Sequence, residues 1–257
     1  MSIELNYLDT GGDGTPLVVI HGLFGSADNW RSHIKAWEER HRVVAVDLRN
    51  HGRSPHVEGM GYTAMADDIL ALLDSLSISR AHLLGHSMGG KVAITLARRA
   101  PERVASLIIG DIAPVAYGHD HDSVMAGLRR VKEGRPANRR EADTMLAEHV
   151  KERAVRLFLA TNLVRGEGEG LVLRLGLDEI QSDYESIMAE PAGSEPFTGP
   201  TLVLRGSASH YVADEHLPAL RKVLPEAQLV TLDAGHWLHA EQPEAFRGAI
   251  DSFIDAL

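Results

Sequence analysis

Hydrophobic positions along this chain follow two alternating rhythms. Short, nearly unbroken apolar runs occur at L-V-V-I-H (17–21), R-V-V-A-V-D-L (42–48), A-H-L-L-G-H (81–86), S-L-I-I-G-D-I (106–112), T-L-V-L-R-G (201–206) and A-Q-L-V-T-L-D (227–233). Runs of this kind suit strands of a parallel sheet covered on both faces. Between them the spacing turns helical. Met65, Ile69, Leu72, Leu73 and Leu76 share one helix face, V-A-I-T-L-A (92–97) opens a helix that Pro101 helps to end, and residues 244–257 form an amphipathic helix. The opening I-E-L-N-Y-L-D-T alternates as an exposed strand does, and G-G-D-G after it reads as a turn.

Strands alternating with helices predict an α/β fold with a mostly parallel sheet and helices on both faces. The rhythm breaks between about 115 and 198, a stretch that is charged, helical and without clear strands. Linker-like A-P-V and P-F-T-G-P bound it. The expectation is a core of residues 1–114 and 199–257, with residues 115–198 inserted between two strands as a helical cap. No repeat or low-complexity tract interrupts this plan.

Composition narrows the classes. A chain of 257 residues with 44% hydrophobic content is one large domain, or one domain with an inserted cap. A net charge of −10 disfavours nucleic acid as a partner. The absence of cysteine excludes disulfides, thiolate chemistry and cysteine-ligated zinc, and fits a reducing compartment. M-S-I-E-L-N-Y-L-D-T lacks the basic and apolar regions of a signal peptide, and no run reaches the roughly 18 residues of a membrane span. These features lead to the expectation of a soluble, cytoplasmic protein.

G-H-S-M-G-G (85–90) lies between a buried strand and a helix. A sharp strand-to-helix turn crowds the backbone, so small residues are needed two positions either side of its tip. Gly85 and Gly89 meet that need around Ser87. Such a turn lifts the serine hydroxyl above the sheet edge and aims the first helix amides at the same point, where an anion would be stabilised. The bland alternative is a glycine-rich turn with an idle serine.

With H-G-L-F-G after the first buried strand, D-L-R-N-H-G-R-S after the second, this turn, and G-H-W-L-H near the end, nearly the whole chain resembles an α/β-hydrolase of the serine esterase type. Serine at the tip sets it apart from haloalkane dehalogenases and epoxide hydrolases, which carry aspartate there. The resemblance implies the α/β-hydrolase fold and makes Ser87 the nucleophile. It makes His236, in A-G-H-W-L-H-A-E (234–241), the base. Histidine suits that task because its pKa lies near neutrality. His239 reads as a neighbour, and Trp237 as packing beside the base. An oxyanion hole needs two preorganised N–H donors. One is the amide of Met88, and the resemblance points to Leu23 or Phe24 for the other, with His21 bracing their loop. In D-L-R-N-H-G-R-S, Asn50 replaces a usual glycine, and the segment reads as a scaffold turn. Lys91 reads as opening a helix without catalytic duty.

The acid is the departure from pattern. In R-G-S-A-S-H-Y (205–211), Ser209 stands where family members often carry aspartate. Asp111, in I-I-G-D-I-A-P, follows the strand after the turn helix. Neighbouring parallel strands end on one side, so its carboxylate can approach the histidine loop. Ser87, Asp111 and His236 also keep the family order of nucleophile, acid and base. Asp214 or Glu215, at a helix start where an N-cap role would also explain the aspartate, are the rivals. A dyad without acid is another, and Asp233 reads as only ending its strand.

Other features carry less. H-D-H-D (119–122) suggests a metal site but reads as a solvated loop. The basic run Arg129, Arg130, Lys132, Arg135, Arg139, Arg140 suits an anionic substrate such as an acyl-CoA, or a solvated helix face. G-L-F-G-S lacks the lysine of a phosphate-binding loop. The expected activity is hydrolysis of carboxylic esters of short or medium acyl chains, through an acyl-enzyme on Ser87 and without cofactor or metal. The partner is a small-molecule ester or thioester. An acyl-CoA or other thioesterase, and a non-catalytic ligand-binding protein on the same fold, are the alternatives.

Overall fold

The computed structural model describes residues 2–168 and 170–257. A seven-stranded sheet organises the chain. Its strands are β1 (Tyr7–Asp9), β2 (Leu17–Ile20), β3 (Val43–Val46), β4 (Ala81–His86), β5 (Val104–Gly110), and two later strands described below. Helices α1 (Arg31–Trp37), α2 (Tyr62–Ser75) and α3 (Met88–Arg99) connect them.

After β5 the chain leaves the sheet. It runs through α4 (Asp122–Gly134), α5 (Arg139–Ala147) and α6 (Arg153–Leu159), a hairpin of β6 (Leu163–Arg165) and β7 (Leu171–Leu173), then α7 (Leu177–Ser182) and α8 (Tyr184–Met188). It rejoins the sheet at β8 (Thr201–Gly206), and α9 (Leu217–Val223), β9 (Ala227–Leu232), α10 (Leu238–Glu241) and α11 (Pro243–Asp255) complete it. The insertion is therefore helical apart from one antiparallel hairpin that the apolar pattern did not reveal. Three-residue strands are too short to establish a period.

The strand order is β1-β3-β2-β4-β5-β8-β9. Only β1 runs antiparallel, against β3; the other neighbours are parallel. Successive side chains point to opposite faces, and each run divides accordingly. Val18, Ile20, Leu83, Leu107, Ile109 and Val203 pack beneath α2 and α3. Leu17, Val19, Leu84, Ile108, Leu202 and Leu204 pack against Trp30, Trp37, Phe246 and Phe253 on the other face. That two-sided burial is why the central runs are apolar without alternation. The run at 227–233 is different: β9 closes the sheet edge, and its Leu229 is 38% exposed. Among the described residues no helix is long and apolar enough to cross a membrane.

The parallel strands end on one edge. The H-G-L-F-G loop follows β2, Ser87 follows β4, Asp111 follows β5, Ser209 lies beyond β8 and His236 beyond β9. Open parallel sheets place their ligand sites at such an edge. The fold makes one contrast measurable. Phe246→Ala empties a fully buried position beneath the sheet and is expected to cost about 3–5 kcal/mol. Leu229→Ala, at the exposed edge, is expected to stay within about 1 kcal/mol. Urea unfolding of the two variants checks both values.

Candidate active site

Ser87 occupies the junction of β4 and α3 with φ 54° and ψ −124°, a conformation rarely adopted by a residue bearing a side chain. The turn holds because its flanks are bare. A Cβ on Gly85 would lie 2.2 Å from the carbonyl oxygen of Gly89, and one on Gly89 would lie 2.3 Å from that of Ile20. Ser87 N–H is tied to the carbonyl of Gly110 at 2.9 Å, which locks the turn to β5.

The structure brings Ser87, His236 and Asp111 into one hydrogen-bonded line. Ser87 Oγ lies 3.0 Å from His236 Nε2, and His236 Nδ1 lies 2.8 Å from Asp111 Oδ2. A carboxylate beside Nδ1 selects the tautomer with its proton there, so the Nε2 lone pair faces the serine hydroxyl. Asp111 is completely buried and sits at φ 50°. Gly206 N–H donates to its Oδ1 at 2.9 Å, and the Ser209 hydroxyl donates to its Oδ2. Ser209 therefore answers its own anomaly: it stands at the usual acid position and holds the carboxylate that arrives from β5. Asp214 and Glu215 do not join this line. The Asp214 carboxylate is largely exposed and pairs with Arg205 at 2.8 Å, and Glu215 lies beside His216. The N-cap position before them is Ala213, so Asp214 does not cap the turn it begins. Asp233 accepts a hydrogen bond from Ser207.

The loop after β2 approaches Ser87 closely: a Cβ on Gly22 would lie 3.2 Å from Cβ of Ser87. Of its two candidate amides, Phe24 N–H already donates to His51 Nε2 at 3.0 Å. Leu23 is the loop's remaining candidate, beside Met88 at the start of α3. His21 does brace this loop, with Nδ1 2.7 Å from Gly22 O and Nε2 accepting from Leu48 N–H at 3.0 Å.

Supporting residues surround the line, and two of them, His86 and Tyr211, carry no sequence signal of their own. His86 reaches from the turn to the loop after β9, its Nε2 2.8 Å from the carbonyl of His236. The Tyr211 ring packs 4.1 Å from that of His236. Trp237 lies beside His236 at 6.0 Å between ring centres, as the sequence suggested, and also meets Phe158 of α6. His239 stacks on Trp30. Lys91 is buried in α3, where it donates to the carbonyls of Met188 and Ala189 at 3.3 and 2.7 Å and lies 4.6 Å from the Tyr117 ring centre. Burial pushes its ammonium pKa down to about 7. It pins the end of the insertion to the helix that begins at Ser87.

The weaker sequence features are absorbed locally. His119 pairs with Glu185, and His121 Nδ1 meets the Tyr184 hydroxyl at 2.7 Å. In the basic run, Arg129 and Lys132 pair with Asp178, and Arg130 with Glu148. A cavity of about 280 Å³ opens onto Ser87 and His236, walled by Leu23, Val124, Val155, Phe158 and Leu159, with Asp120 and His121 at its margin.

A sequence model of the α/β-hydrolase fold matches residues 15–243, and the chain belongs to that family. Within it, the chain is a serine hydrolase of carboxylic esters. It is 40% identical to sn-1-specific diacylglycerol lipase ABHD11 of Mus musculus, over 99% of this chain and 85% of that protein. It is 35% identical to esterase YbfF of Escherichia coli strain K12, over 95% and 94% of the two chains. The solved structure of a marine microorganism esterase superimposes with a TM-score of 0.94 at 35% identity, covering 98% of this chain and all of that one.

Burial in and around the site has a pH consequence. It pushes His51 and His86 down to about 3, and His33 down to about 4. Between those values and about 6.5 the unfolded chain binds protons that the folded chain does not. Stability is therefore full above pH 6.5 and falls as pH drops toward 4, on the order of 1 kcal/mol per pH unit from each histidine. Urea midpoints at pH 7 and pH 5 are expected to show the loss, and equal midpoints would contradict it.

Proposed function

We propose that the chain hydrolyses esters of short or medium acyl chains by forming an acyl-enzyme on Ser87, with His236 as general base and Asp111 as the acid that orients it. The observation that carries this reading is the line from Ser87 Oγ through both nitrogens of His236 to the buried Asp111 carboxylate. Ser87 Oγ attacks the ester carbonyl while His236 Nε2 takes its proton. The Leu23 and Met88 amides hold the oxyanion. His236 then returns the proton to the departing alcohol. Water, activated by the same nitrogen, releases the acid and restores the serine. The charge that develops on the imidazole is stabilised by Asp111 across a dry contact, where such an interaction is strong. The chemistry calls for neither metal nor cofactor, and a small-molecule thioester would fit the same residues.

Two features support the substrate reading. A small crevice of about 20 Å³ beside Ser87 is lined by Met88, Ile112, Tyr62, Lys91 and Ile187, and its size suits a limited acyl length. A second, mostly apolar groove between α6 and α10 is lined by Val155, Phe158, Trp237 and Ala240, and it shares Val155, Phe158 and Trp237 with the cavity over Ser87 and His236, so we assign it to the alcohol. That groove favours esters whose alcohol is itself apolar, in keeping with the lipase named among the relatives. Residues 115–198 act as a cap over a core of residues 1–114 and 199–257, and the cap supplies one wall of both spaces. The cysteine-free, acidic composition fits a cytoplasmic setting.

A fluorophosphonate is expected to label Ser87 stoichiometrically, and Ser87→Ala to abolish turnover while keeping the fold. Undiminished hydrolysis by that variant would end the reading. Asp111→Asn is expected to lower kcat by up to ~10⁴, and Ser209→Ala by about tenfold through loss of one hydrogen bond to the carboxylate. Asp214→Asn should change little. In a panel of butyrate esters whose alcohol increases in length, Val155→Ala and Phe158→Ala are expected to shift the preference among alcohols more than the rate on the methyl ester. An unchanged profile would move the binding space elsewhere.

A further inference from the structure

The turn Gly22–Gly25 is held one peptide at a time. A trans peptide points its C=O and N–H in opposite directions, so fixing one fixes the other. The carbonyl of Gly22 accepts from His21 Nδ1 at 2.7 Å and from Gly25 N–H at 3.0 Å, which sets the direction of Leu23 N–H on the same peptide. The next peptide is held through Phe24 N–H, which donates to His51 Nε2. The third is held through the carbonyl of Phe24, and its donor comes from the insertion: Asn162 Nδ2 lies 2.8 Å from Phe24 O.

Asn162 is built for one orientation. It has no exposure to solvent, and Nδ2 also meets Leu159 O at 3.3 Å. Both neighbours are carbonyls, so only the amide nitrogen can face them. Its backbone is anchored as well, because Asn162 O accepts from Arg174 N–H at 2.8 Å beside the β6–β7 hairpin. Phe24 needs the support. It sits at φ 63°, in the left-handed region that a bulky residue enters only when its surroundings impose it. His51 holds the amide end of that residue and Asn162 its carbonyl; Gly25 N–H, on the same peptide as that carbonyl, donates to Gly22 O, so the hold from Asn162 is passed to the peptide that carries Leu23 N–H.

We propose that Asn162 is a positioning residue for ester hydrolysis: by clamping the Phe24 carbonyl from the insertion, it keeps the Leu23 amide aimed at the oxyanion. The proposal rests on the reading of Leu23 and Met88 as the oxyanion donors. It makes the insertion part of the catalytic apparatus as well as a wall of the substrate space. Asn162 touches no reacting atom; it acts through the turn.

The test uses Asn162→Ala and the isosteric Asn162→Asp in the full chain. At neutral pH the carboxylate of the second variant would oppose the Phe24 carbonyl instead of donating to it. Loss of a whole oxyanion donor costs about 10²–10³ in kcat, so displacement of one is expected to lower kcat by about 10- to 100-fold, with KM within about threefold. An alkyl trifluoromethyl ketone, which forms an anionic adduct with an active serine, should lose affinity by the same factor. A carboxylate product inhibitor, which makes no such adduct, should bind as before. Should Asn162→Ala not yield folded protein, Asn162→Asp carries the same readouts. Unchanged kcat, a change confined to KM, or unchanged trifluoromethyl ketone affinity would overturn the role of Asn162, while an inactive Ser87→Ala would leave the hydrolase reading standing. An active Ser87→Ala would remove that reading itself.

Discussion

A carboxylate sealed from water is the constraint around which the functional edge is arranged. An ionised group without solvent must be met by donors, or its burial costs more than the fold can bear. Asp111 is met by three: the Gly206 amide, the Ser209 hydroxyl and His236 Nδ1. They come from the end of β8, the loop beyond it and the loop beyond β9. Asp111 N–H in turn donates to Leu204 O at 2.8 Å, extending the pairing of β5 with β8. Meeting the demands of one side chain therefore draws together the ends of β5, β8 and β9, and it leaves the imidazole of His236 with one free nitrogen directed at Ser87.

The same logic of prior fixation runs through the rest of the site. The Ser87 turn is locked on one side by the bond to Gly110, and on the other by the close approach of Gly89 to the end of β2. His86 ties the turn to the backbone of the His236 loop, so the His236 loop is held by the residue adjacent to Ser87. His21 and His51 each accept a backbone N–H on Nε2, which requires a neutral ring, and burial of both lowers their pKa. Dipoles set in place before the reaction stabilise developing charge without reorganising at the moment of transfer.

Much of this was legible in the residues, for identifiable reasons. Buried parallel strands announce themselves as unbroken apolar runs, and Gly85 and Gly89 mark a turn that no larger residue fits. Asp111 could be reached by combining chain order with the rule that parallel strands end together. What stayed hidden depended on distant partners or on position in the sheet. Nothing in A-Q-L-V-T-L-D says that β9 is an edge strand, because topology alone decides that. His51 meets Phe24 across 27 residues and Asn162 meets it across 138, so neither role has a local signature. Ser209 is the instructive case. Read alone it marks a missing acid, and in the fold it is one of the donors to the buried Asp111 carboxylate.

The central claim is that Ser87 carries the acyl group between the two halves of the reaction. Rapid quenching during turnover of p-nitrophenyl butyrate, followed by intact-protein and peptide mass spectrometry, tests it directly. The account predicts a transient mass increase of one butyryl group on the peptide containing Ser87, forming as fast as the first equivalent of nitrophenol and decaying at the steady-state rate. Turnover with no acyl adduct at any time, or with the adduct on another residue, would contradict it.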